Sequence, residues 1–248
     1  MELYGLLGYP LGHSFSACYF AEKFNALNRD AEYHNFEYSS IEKAVSFLMK
    51  YKNLRGFNVT IPYKQQIMPY LQALSPEAAK IGAVNVVKVR IDAAGNPQWY
   101  GYNSDVIGFI QSFKKTFRPD IHHKALVLGT GGASKAVVYG LQSLGILTQS
   151  VSRTPVEGQW SYEQVTPEIL SEYKIVVNCT PLGMYPKVDA LPSLPYEALT
   201  PEHYLFDLVY NPILTKFLQK GQQQGSQIKN GLEMLHLQAD AAWAIWND

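Results

Sequence analysis

The sequence predicts a two-domain α/β protein whose second domain is a Rossmann-type doubly wound parallel sheet. Strand and helix patterns alternate along most of the chain, which is the arrangement typical of α/β folds. From residue 124 onward, short apolar strands recur with helical segments between them, as they do in a doubly wound sheet. A length of 248 residues is sufficient for two domains, each with its own core.

The composition indicates a globular protein and excludes several classes of partner. Hydrophobic residues make up 47% of the chain and charged residues 17%, which provides ample core material. The 21 basic residues equal the 21 acidic residues, so no excess charge favours nucleic acid or an anionic membrane. We expect a small-molecule substrate, with no nucleic acid, no membrane and no metal as partner.

The cellular compartment is predicted from the cysteines and from the first residues. Cys18 and Cys179 are the only cysteines, which argues against a disulfide framework and fits a reducing compartment. The opening segment MELYGLLGYPLG has no basic region and is interrupted by glycine and proline, unlike a signal peptide. No apolar run approaches the roughly 20 residues that span a bilayer. We therefore expect a soluble, cytoplasmic protein, either a monomer or a homodimer.

In the first half of the chain, strands and helices are predicted in alternation until a hairpin interrupts them. Residues 39–42, Ser-Ser-Ile-Glu, predict a capping box for a helix that runs to about residue 52. Pro62 suits the first turn of a further helix. The turn-forming segment DAAGNPQ separates two strands that we expect to pair as a hairpin. The predicted strands are residues 3–8, 33–38, 54–59, 84–90 and 99–102, and the first predicted helix is residues 16–28.

In the second half, Asp105 caps or opens an amphipathic helix over residues 106–117. The segment at residues 219–225, QKGQQQG, is interpreted as a frayed helix end. A last helix over residues 232–246 is expected to pack back on the first domain. The predicted strands are residues 124–128, 149–152, 175–179 and 204–209.

A glycine-rich loop, GTGGAS at residues 129–134, follows a strand and precedes a helix, which is the context of a dinucleotide-binding turn. Gly129 allows the tight turn, Gly131 lets the backbone approach a pyrophosphate, and Ala133 or Ser134 permits close packing of the helix. The alternative is that the glycines only make a sharp turn between strand and helix.

The cofactor is predicted from the end of the next strand, where the sequence reads Ser152-Arg153-Thr154. An NAD-specific site carries an acid there to hold the ribose 2′-hydroxyl, whereas a guanidinium and two hydroxyls favour a 2′-phosphate. We therefore expect NADP rather than NAD. Alternatively, Arg153 is an ordinary solvated arginine of a loop.

Lys64 is the candidate acid and base. Reduction of a carbonyl by hydride develops negative charge on oxygen, to which a neighbouring ammonium can donate a proton. Asp105 is the candidate partner that orients the lysine, although the spacing in the sequence does not show proximity. Taken alone, Lys64 would be a surface lysine and Asp105 a helix cap.

The ordered set of motifs resembles the shikimate dehydrogenase family. It comprises GYPLGHSFS at 8–16, NVTIPYK at 58–64, GAVN at 82–85, GYNSD at 101–105, GTGGAS at 129–134, SRT at 152–154, NCTPLG at 178–183, DLVYNP at 207–212 and NGLEML at 230–235, followed by Gln238. The resemblance runs from residue 5 to about residue 240.

The resemblance implies an enzyme that reduces 3-dehydroshikimate reversibly with NADPH, in the pathway to chorismate and the aromatic amino acids. It implies a substrate-binding catalytic domain at residues 1–104, completed by the helix 232–248, and an NADP-binding Rossmann domain at residues 105–231. Lys64 and Asp105 match the catalytic pair. Residues that match substrate contacts are Ser14, Ser16, Thr60, Asn85, Tyr210 and Gln238, and Asp105 matches one as well. Residues that match the cofactor site are Gly129, Gly131, Gly132, Ala133, Ser152, Arg153, Thr154, Thr180, Leu208, Gly231 and Met234.

Two other interpretations stay open. The enzyme could accept quinate, which presents the same carboxylate and diol with an additional tertiary hydroxyl. The chain could instead be a catalytically silent NADP-sensing module, but such a module has no need of a proton donor such as Lys64.

Overall fold

The computed structural model describes residues 1–12 and 15–248, and over these residues it forms two compact units. The first unit comprises Met1–Ser104 and Ala239–Asp248, and the second comprises Asp105–Gln238. His13 and Ser14 lie outside the described residues, and with them the predicted substrate contact of Ser14. The last helix is divided between the two units, because its residues through Gln238 belong to the second unit and the following ones to the first.

The elements of the first unit confirm the predicted alternation and the predicted hairpin. In chain order they are β1 (Glu2–Gly8), α1 (Phe15–Ala26), β2 (Ala31–Glu37), α2 (Ile41–Leu48), β3 (Leu54–Val59), β4 (Ala73–Leu74), α3 (Pro76–Ile81), β5 (Val86–Ile91) and β6 (Pro97–Tyr102). The sheet order is β2-β1-β3-β5-β6-β4. Strand β1 pairs in parallel with β2 and β3, and β5 pairs antiparallel with β3 and β6.

Three local predictions in this unit are corrected. The helix expected after Pro62 is wrong, because a series of turns and a short 3₁₀ segment at Met68–Tyr70 follow. The carbonyl of Lys64 accepts from the Val84 amide at 2.7 Å, so it is not available to a helix. The cap of α2 is the second serine, Ser40, and the helix ends before residue 52. Helix α3, which was not predicted, begins at its cap Ser75.

The sheet of the first unit is covered on both faces. Helix α2 packs on one face, over a cluster that includes Leu7, Phe57 and Trp99. The opposite face is aromatic, and its cluster unites β1 and β2 with α1 and the C-terminal helical residues. The members of this cluster include Tyr4, Phe20, Phe24, Tyr33, Val86, Tyr102, Trp243 and Trp246.

The second unit is the predicted doubly wound parallel sheet. Its elements are α4 (Asp105–Phe113), β7 (Lys124–Leu128), α5 (Gly132–Ser143), β8 (Leu147–Val151), α6 (Pro167–Glu172), β9 (Ile175–Asn178), β10 (Tyr204–Asp207), α7 (Lys216–Gln223), β11 (Gln227–Lys229) and the start of α8 (Leu232–Asn247). The strands lie in the order β11-β10-β9-β7-β8, and all neighbours are parallel. From β7 the sheet is extended by β8 on one side and by β9, β10 and β11 on the other, so the strand order changes direction at β7. The segment expected to be a frayed end is instead the continuous helix α7 through Gln223.

Alternate residues of the central strands face opposite layers of helices. Val127 and Val177 pack with Phe109 of α4 and Leu141 of α5 on one face. Leu126, Val176 and Leu205 pack with Leu170 of α6 and Phe217 of α7 on the other. Helices on both faces explain why these strands are apolar throughout, as buried parallel strands are. Over residues 1–12 and 15–248, no helix combines the length and apolar character needed to cross a membrane.

Candidate active site

Thr60 and Lys64 lie in the turn that follows β3, in the first unit. The Thr60 amide donates to the carbonyl of Leu7 and its carbonyl accepts from the Tyr63 amide, each at 2.8 Å. The carbonyl of Lys64 accepts from the Val84 amide at 2.7 Å, one residue before Asn85. Both predicted side chains are half-buried. The fold therefore brings the turn of Lys64 against the segment that carries Asn85, which the sequence spacing alone did not show.

Asn85 is buried and held by reciprocal hydrogen bonds to Ser104. Its Oδ1 accepts from the Ser104 amide at 2.6 Å, and its Nδ2 donates to the Ser104 Oγ at 3.0 Å. These two bonds also fix which end of the amide is oxygen, because the backbone N–H can only donate. The Asn85 side chain is therefore held in a single orientation at the start of β5.

Ser16 lies in the first turn of α1 and is half-buried beside Tyr33 of β2. Burial raises the pKa of the Tyr33 phenol, and the neighbouring Ser16 side chain opposes that rise. The phenol donates in turn to Oδ1 of Asn58 at 2.8 Å. Neither Tyr33 nor Asn58 was identified as a functional residue from the sequence. The available signal was an amide among the apolar residues Phe57 and Val59 at the end of β3.

The glycine loop lies between β7 and α5, at the strand where the sheet order reverses. Gly129 has a φ of +100°, and a Cβ at this position would lie 3.0 Å from the Thr180 methyl group, so this turn requires glycine. A Cβ at Gly131 would meet nothing within 4 Å. Its backbone is extended, with φ −76° and ψ −177°, so the protein's own packing does not require glycine there. Open space at Gly131 is what a phosphate approaching the backbone would need.

Gly132 and Ala133 open α5 behind this loop, and the buried Ser134 bonds back to the Gly131 carbonyl at 2.6 Å. The bond holds the first turn of the helix against the loop. Amide groups at a helix N-terminus adjoining a strand switch point form an arrangement suited to an anion.

The Ser152-Arg153-Thr154 segment leaves β8 next to the glycine loop, because the Gly129 amide donates to the Val151 carbonyl at 2.8 Å. Ser152 is buried and its hydroxyl accepts from the Thr154 amide at 3.3 Å. Arg153 is exposed, and within the part of the chain that the structure describes it makes no ion pair. An exposed guanidinium at this strand end is available to an anion.

A buried polar network fixes the loop after β9. Asp207, at the end of β10, accepts from the Asn178 amide group at 2.9 Å, from the Val209 N–H at 3.0 Å and from the Thr215 hydroxyl at 2.6 Å. Burial raises the pKa of Asp207 to about 6, although these three donors oppose the rise. Asn178 Oδ1 in turn accepts from the hydroxyl of Thr180 at 2.6 Å. Thr180 is thus held beside Gly129.

The remaining predicted cofactor residues lie at the ends of β10 and β11. A Cβ at Gly231 would lie 2.1 Å from the Leu208 carbonyl oxygen, so only glycine permits this approach of the two segments. Met234 is buried in the core beneath α4. These contacts place Leu208 and Gly231 together, near the carboxyl end of the parallel sheet.

Three further predicted residues, Asp105, Tyr210 and Gln238, belong to the second unit. Asp105 is buried and is the first residue of α4. Tyr210 is half-buried, and burial raises the pKa of its phenol. Gln238 donates to the Leu235 carbonyl at 3.0 Å. Because Lys64 belongs to the first unit, its pairing with Asp105 stays a prediction.

Comparisons with known proteins agree with this geometry. Residues 6–87 match the family model described as the shikimate dehydrogenase substrate binding domain. The chain is 34% identical to the shikimate dehydrogenase (NADP(+)) of Desulforamulus reducens, covering 99% of this chain and 89% of the relative. It is similar to the crystal structure of shikimate 5-dehydrogenase from Thermus thermophilus in complex with NADP(H) and shikimate, with a TM-score of 0.83, 32% identity and coverage of 99% and 93%. It is also similar to quinate dehydrogenase from Corynebacterium glutamicum in complex with NAD, with a TM-score of 0.85, 26% identity and coverage of 99% and 93%.

Proposed function

The chain belongs to the shikimate dehydrogenase family, and on that premise we propose that it interconverts shikimate and 3-dehydroshikimate with NADP(H). It is an NADP-dependent oxidoreductase. The observation that carries this conclusion is the match to a shikimate dehydrogenase (NADP(+)) over 99% of the chain. The open backbone at Gly131 supports it, because the protein's own packing gives no reason for glycine there.

The first unit is proposed to bind the substrate. Hydroxyl and amide groups suffice to hold a small carboxylate and its ring hydroxyls, and they can do so in a protein of zero net charge. Ser14 and Ser16 are assigned to the carboxylate, with Tyr210 facing the substrate. Thr60, Asn85, Asp105 and Gln238 are assigned to the ring hydroxyls.

Lys64 is proposed to exchange the proton of the reacting hydroxyl. When bound, NADPH would supply the hydride to the substrate carbonyl, and oxidised NADP would accept it in the reverse direction. In reduction the Lys64 ammonium donates a proton to the developing alkoxide, and in oxidation the neutral amine takes that proton back. Asp105 accepts a hydrogen bond from Lys64 and orients it.

The cofactor is proposed to bind along residues 105–231, at the carboxyl ends of the parallel strands. The glycine loop and the start of α5 hold the pyrophosphate, and Arg153 with Ser152 and Thr154 holds the 2′-phosphate. Thr180, Leu208, Gly231 and Met234 line the nicotinamide side. These roles follow the family, and the exposure of Arg153 supports them.

A cytoplasmic location is proposed from the chemistry of the thiols. Cys18 is exposed and Cys179 is partly buried, and both are free. An exposed free thiol on a biosynthetic enzyme fits a reducing compartment.

Substitution of Lys64 tests the mechanism. In Lys64→Ala we expect turnover to fall by about 10²-fold or more with little change in shikimate affinity, because the lysine acts in the transition state. The matched control is Lys80→Ala, which removes an exposed lysine of α3 in the same unit. Near-native turnover in folded Lys64→Ala would show that the mechanism is wrong.

A substrate and cofactor panel tests the reaction. Absorbance at 340 nm is followed with shikimate or quinate, and with NADP or NAD. A rise confined mainly to shikimate with NADP is expected. The likeness to a quinate dehydrogenase makes quinate the alternative substrate, and a faster quinate trace would favour it. No change in absorbance with any combination, from folded protein that still binds NADP, would favour an NADP-sensing module.

A further inference from the structure

A chain of buried hydrogen bonds crosses the sheet of the first unit and ends at a predicted substrate residue. The Tyr33 hydroxyl donates to Asn58 Oδ1 at 2.8 Å, and Asn58 Nδ2 donates to the backbone carbonyl of Asn85 at 3.3 Å. The Asn85 side chain then pairs with Ser104. Side chains therefore connect β2 and β3 to the start of β5, in addition to the backbone bond from the Val59 N–H to the same Asn85 carbonyl at 2.8 Å.

The direction of each hydrogen bond in this chain is determined by chemistry. The Asn85 carbonyl can only accept, so the NH₂ group of Asn58 faces it and the Asn58 oxygen faces Tyr33. Tyr33 must then donate its single proton to Asn58. The phenol oxygen is left free to act as an acceptor. Tyr33 is therefore connected through Asn58 to Asn85, a predicted substrate residue.

The surroundings of these hydrogen bonds are apolar. Asn58 is 5% exposed, and the face of the sheet that it shares with Tyr33 is covered by an aromatic cluster. The rings that contact Tyr33 are Phe20 and Trp246. An aliphatic side chain at residue 58 would avoid the desolvation of a buried amide. A fully satisfied buried network instead restricts its members to one arrangement, which is what a substrate site requires of its supporting residues.

We propose that Tyr33 and Asn58 are positioning residues for substrate binding, which hold the backbone of Asn85 in place. This inference rests on the proposed function, because it takes Asn85 as a substrate contact. Neither Tyr33 nor Asn58 needs to touch the substrate. Their effect is confined to the first unit, so it concerns the substrate and leaves the cofactor site unchanged.

Tyr33→Phe is the first test, since it removes one hydroxyl and leaves the ring in the aromatic cluster. Shikimate KM and the shikimate dissociation constant from calorimetry are expected to rise about tenfold, because small displacements of positioned groups weaken binding. The NADP dissociation constant is expected to stay within about twofold, as sites without shared partners are independent. Tyr4→Phe is the matched control, because Tyr4 belongs to the same cluster but not to the hydrogen-bonded chain.

A second variant separates positioning from stability. Tyr33→Phe combined with Asn58→Leu leaves neither partner unpaired, so its melting temperature is expected to recover relative to Tyr33→Phe alone. Its shikimate affinity is expected to remain low. The inference is overturned if folded Tyr33→Phe binds shikimate normally, if both ligands weaken equally, or if the double variant regains shikimate affinity. Wild-type turnover of shikimate with NADP, measured first, tests the proposed function separately.

Discussion

Replacing Glu233 with glutamine should destabilise the second unit in a pH-dependent way. Glu233, in the first turn of α8, forms ion pairs with Lys115, which follows α4, and with Lys229 of β11. It also accepts from the Ser112 hydroxyl at 3.2 Å. Glutamine keeps the shape of the side chain and removes its charge. The variant therefore tests the ion pairs rather than the packing of α8.

The magnitude follows from the pKa of this carboxyl. Hydrogen bonds from Lys115 and Lys229 lower the pKa of Glu233 from its ordinary 4.5 to about 2. A pKa difference of about 2.5 corresponds to about 3.4 kcal/mol. The side chain is 30% exposed, so solvent screening reduces the contribution to about 1–2 kcal/mol at neutral pH.

The sign of the pH dependence is determined because the pKa is lowered in the folded protein. The stabilisation is present above the unfolded value of 4.5 and is lost as the pH falls towards about 2. By linkage, about 40% of it remains at pH 3. Urea unfolding of wild type and Glu233→Gln should therefore show a stability difference that shrinks from neutral pH to pH 3.

The matched control is Glu172→Gln, which removes a more exposed ion pair with Lys124 in the same unit. It should cost about 0–1 kcal/mol. A difference for Glu233→Gln that is equal at both pH values, or larger at pH 3, would refute the electrostatic explanation. In that case the contribution of Glu233 would lie in packing or in its hydrogen bond from Ser112.

Three further outcomes are expected. Gly231→Ala should lower the free energy of unfolding by about 2 kcal/mol or more, because the Cβ of the alanine would meet the Leu208 carbonyl oxygen. An unchanged urea midpoint would contradict this. Arg153→Ala should raise the KM for NADP about 10- to 100-fold, because charge-assisted hydrogen bonds to the 2′-phosphate are lost. Steady-state kinetics with NAD should be unaffected. An equal rise in KM for both cofactors would contradict the assignment of Arg153. Burial raises the pKa of Asp207 to about 6, so its contribution is present below the ordinary value of 3.8 and is lost as pH rises through about 6. The stability deficit of Asp207→Asn, measured by urea unfolding, should therefore narrow by at most about 2.4 kcal/mol from pH 4 to pH 7. A deficit that widens would contradict the raised pKa.

Strands buried on both faces were predictable from the sequence because their apolar character is local. The strands Leu54–Val59 and Lys124–Leu128 match the predicted bounds. Both sit inside their sheets with strands on either side, and apart from Arg55 and Lys124 their residues are buried. The hairpin of β5 and β6 was predictable for a similar reason, since its turn residues are contiguous in the chain.

The segment after β3 was not predictable from local pattern, because its backbone partners are distant in the sequence. The proline in this segment favours a helix start, but the Lys64 carbonyl bonds to Val84, twenty residues further along. That pairing depends on the antiparallel placement of β5 beside β3. Helix propensity in the sequence carries no information about such a partner.

The candidate site also has parts that could be predicted from the local sequence and parts that could not. The glycine loop and Arg153 could be identified because their chemistry lies within a few consecutive residues. Conversely, the role inferred for Tyr33 depends on strand order. Strand β1 lies between β2 and β3, so the side chains of β2 and β3 are separated by two strand spacings, roughly 9–10 Å. A phenol is long enough to reach Asn58 across that distance.

Register makes the same contact specific. Tyr33 is opposite Tyr4 of β1, and Asn58 is opposite Leu6, so the two side chains lie on one face of the sheet. A slip of one residue between β1 and β3 would turn Asn58 to the other face, among Leu7, Phe57 and Trp99. There the amide would lose Tyr33, and its burial without that partner would be unfavourable. The hydrogen bonds that we assign to substrate positioning thereby also favour the one register of β1 against β3 in which Asn58 meets Tyr33.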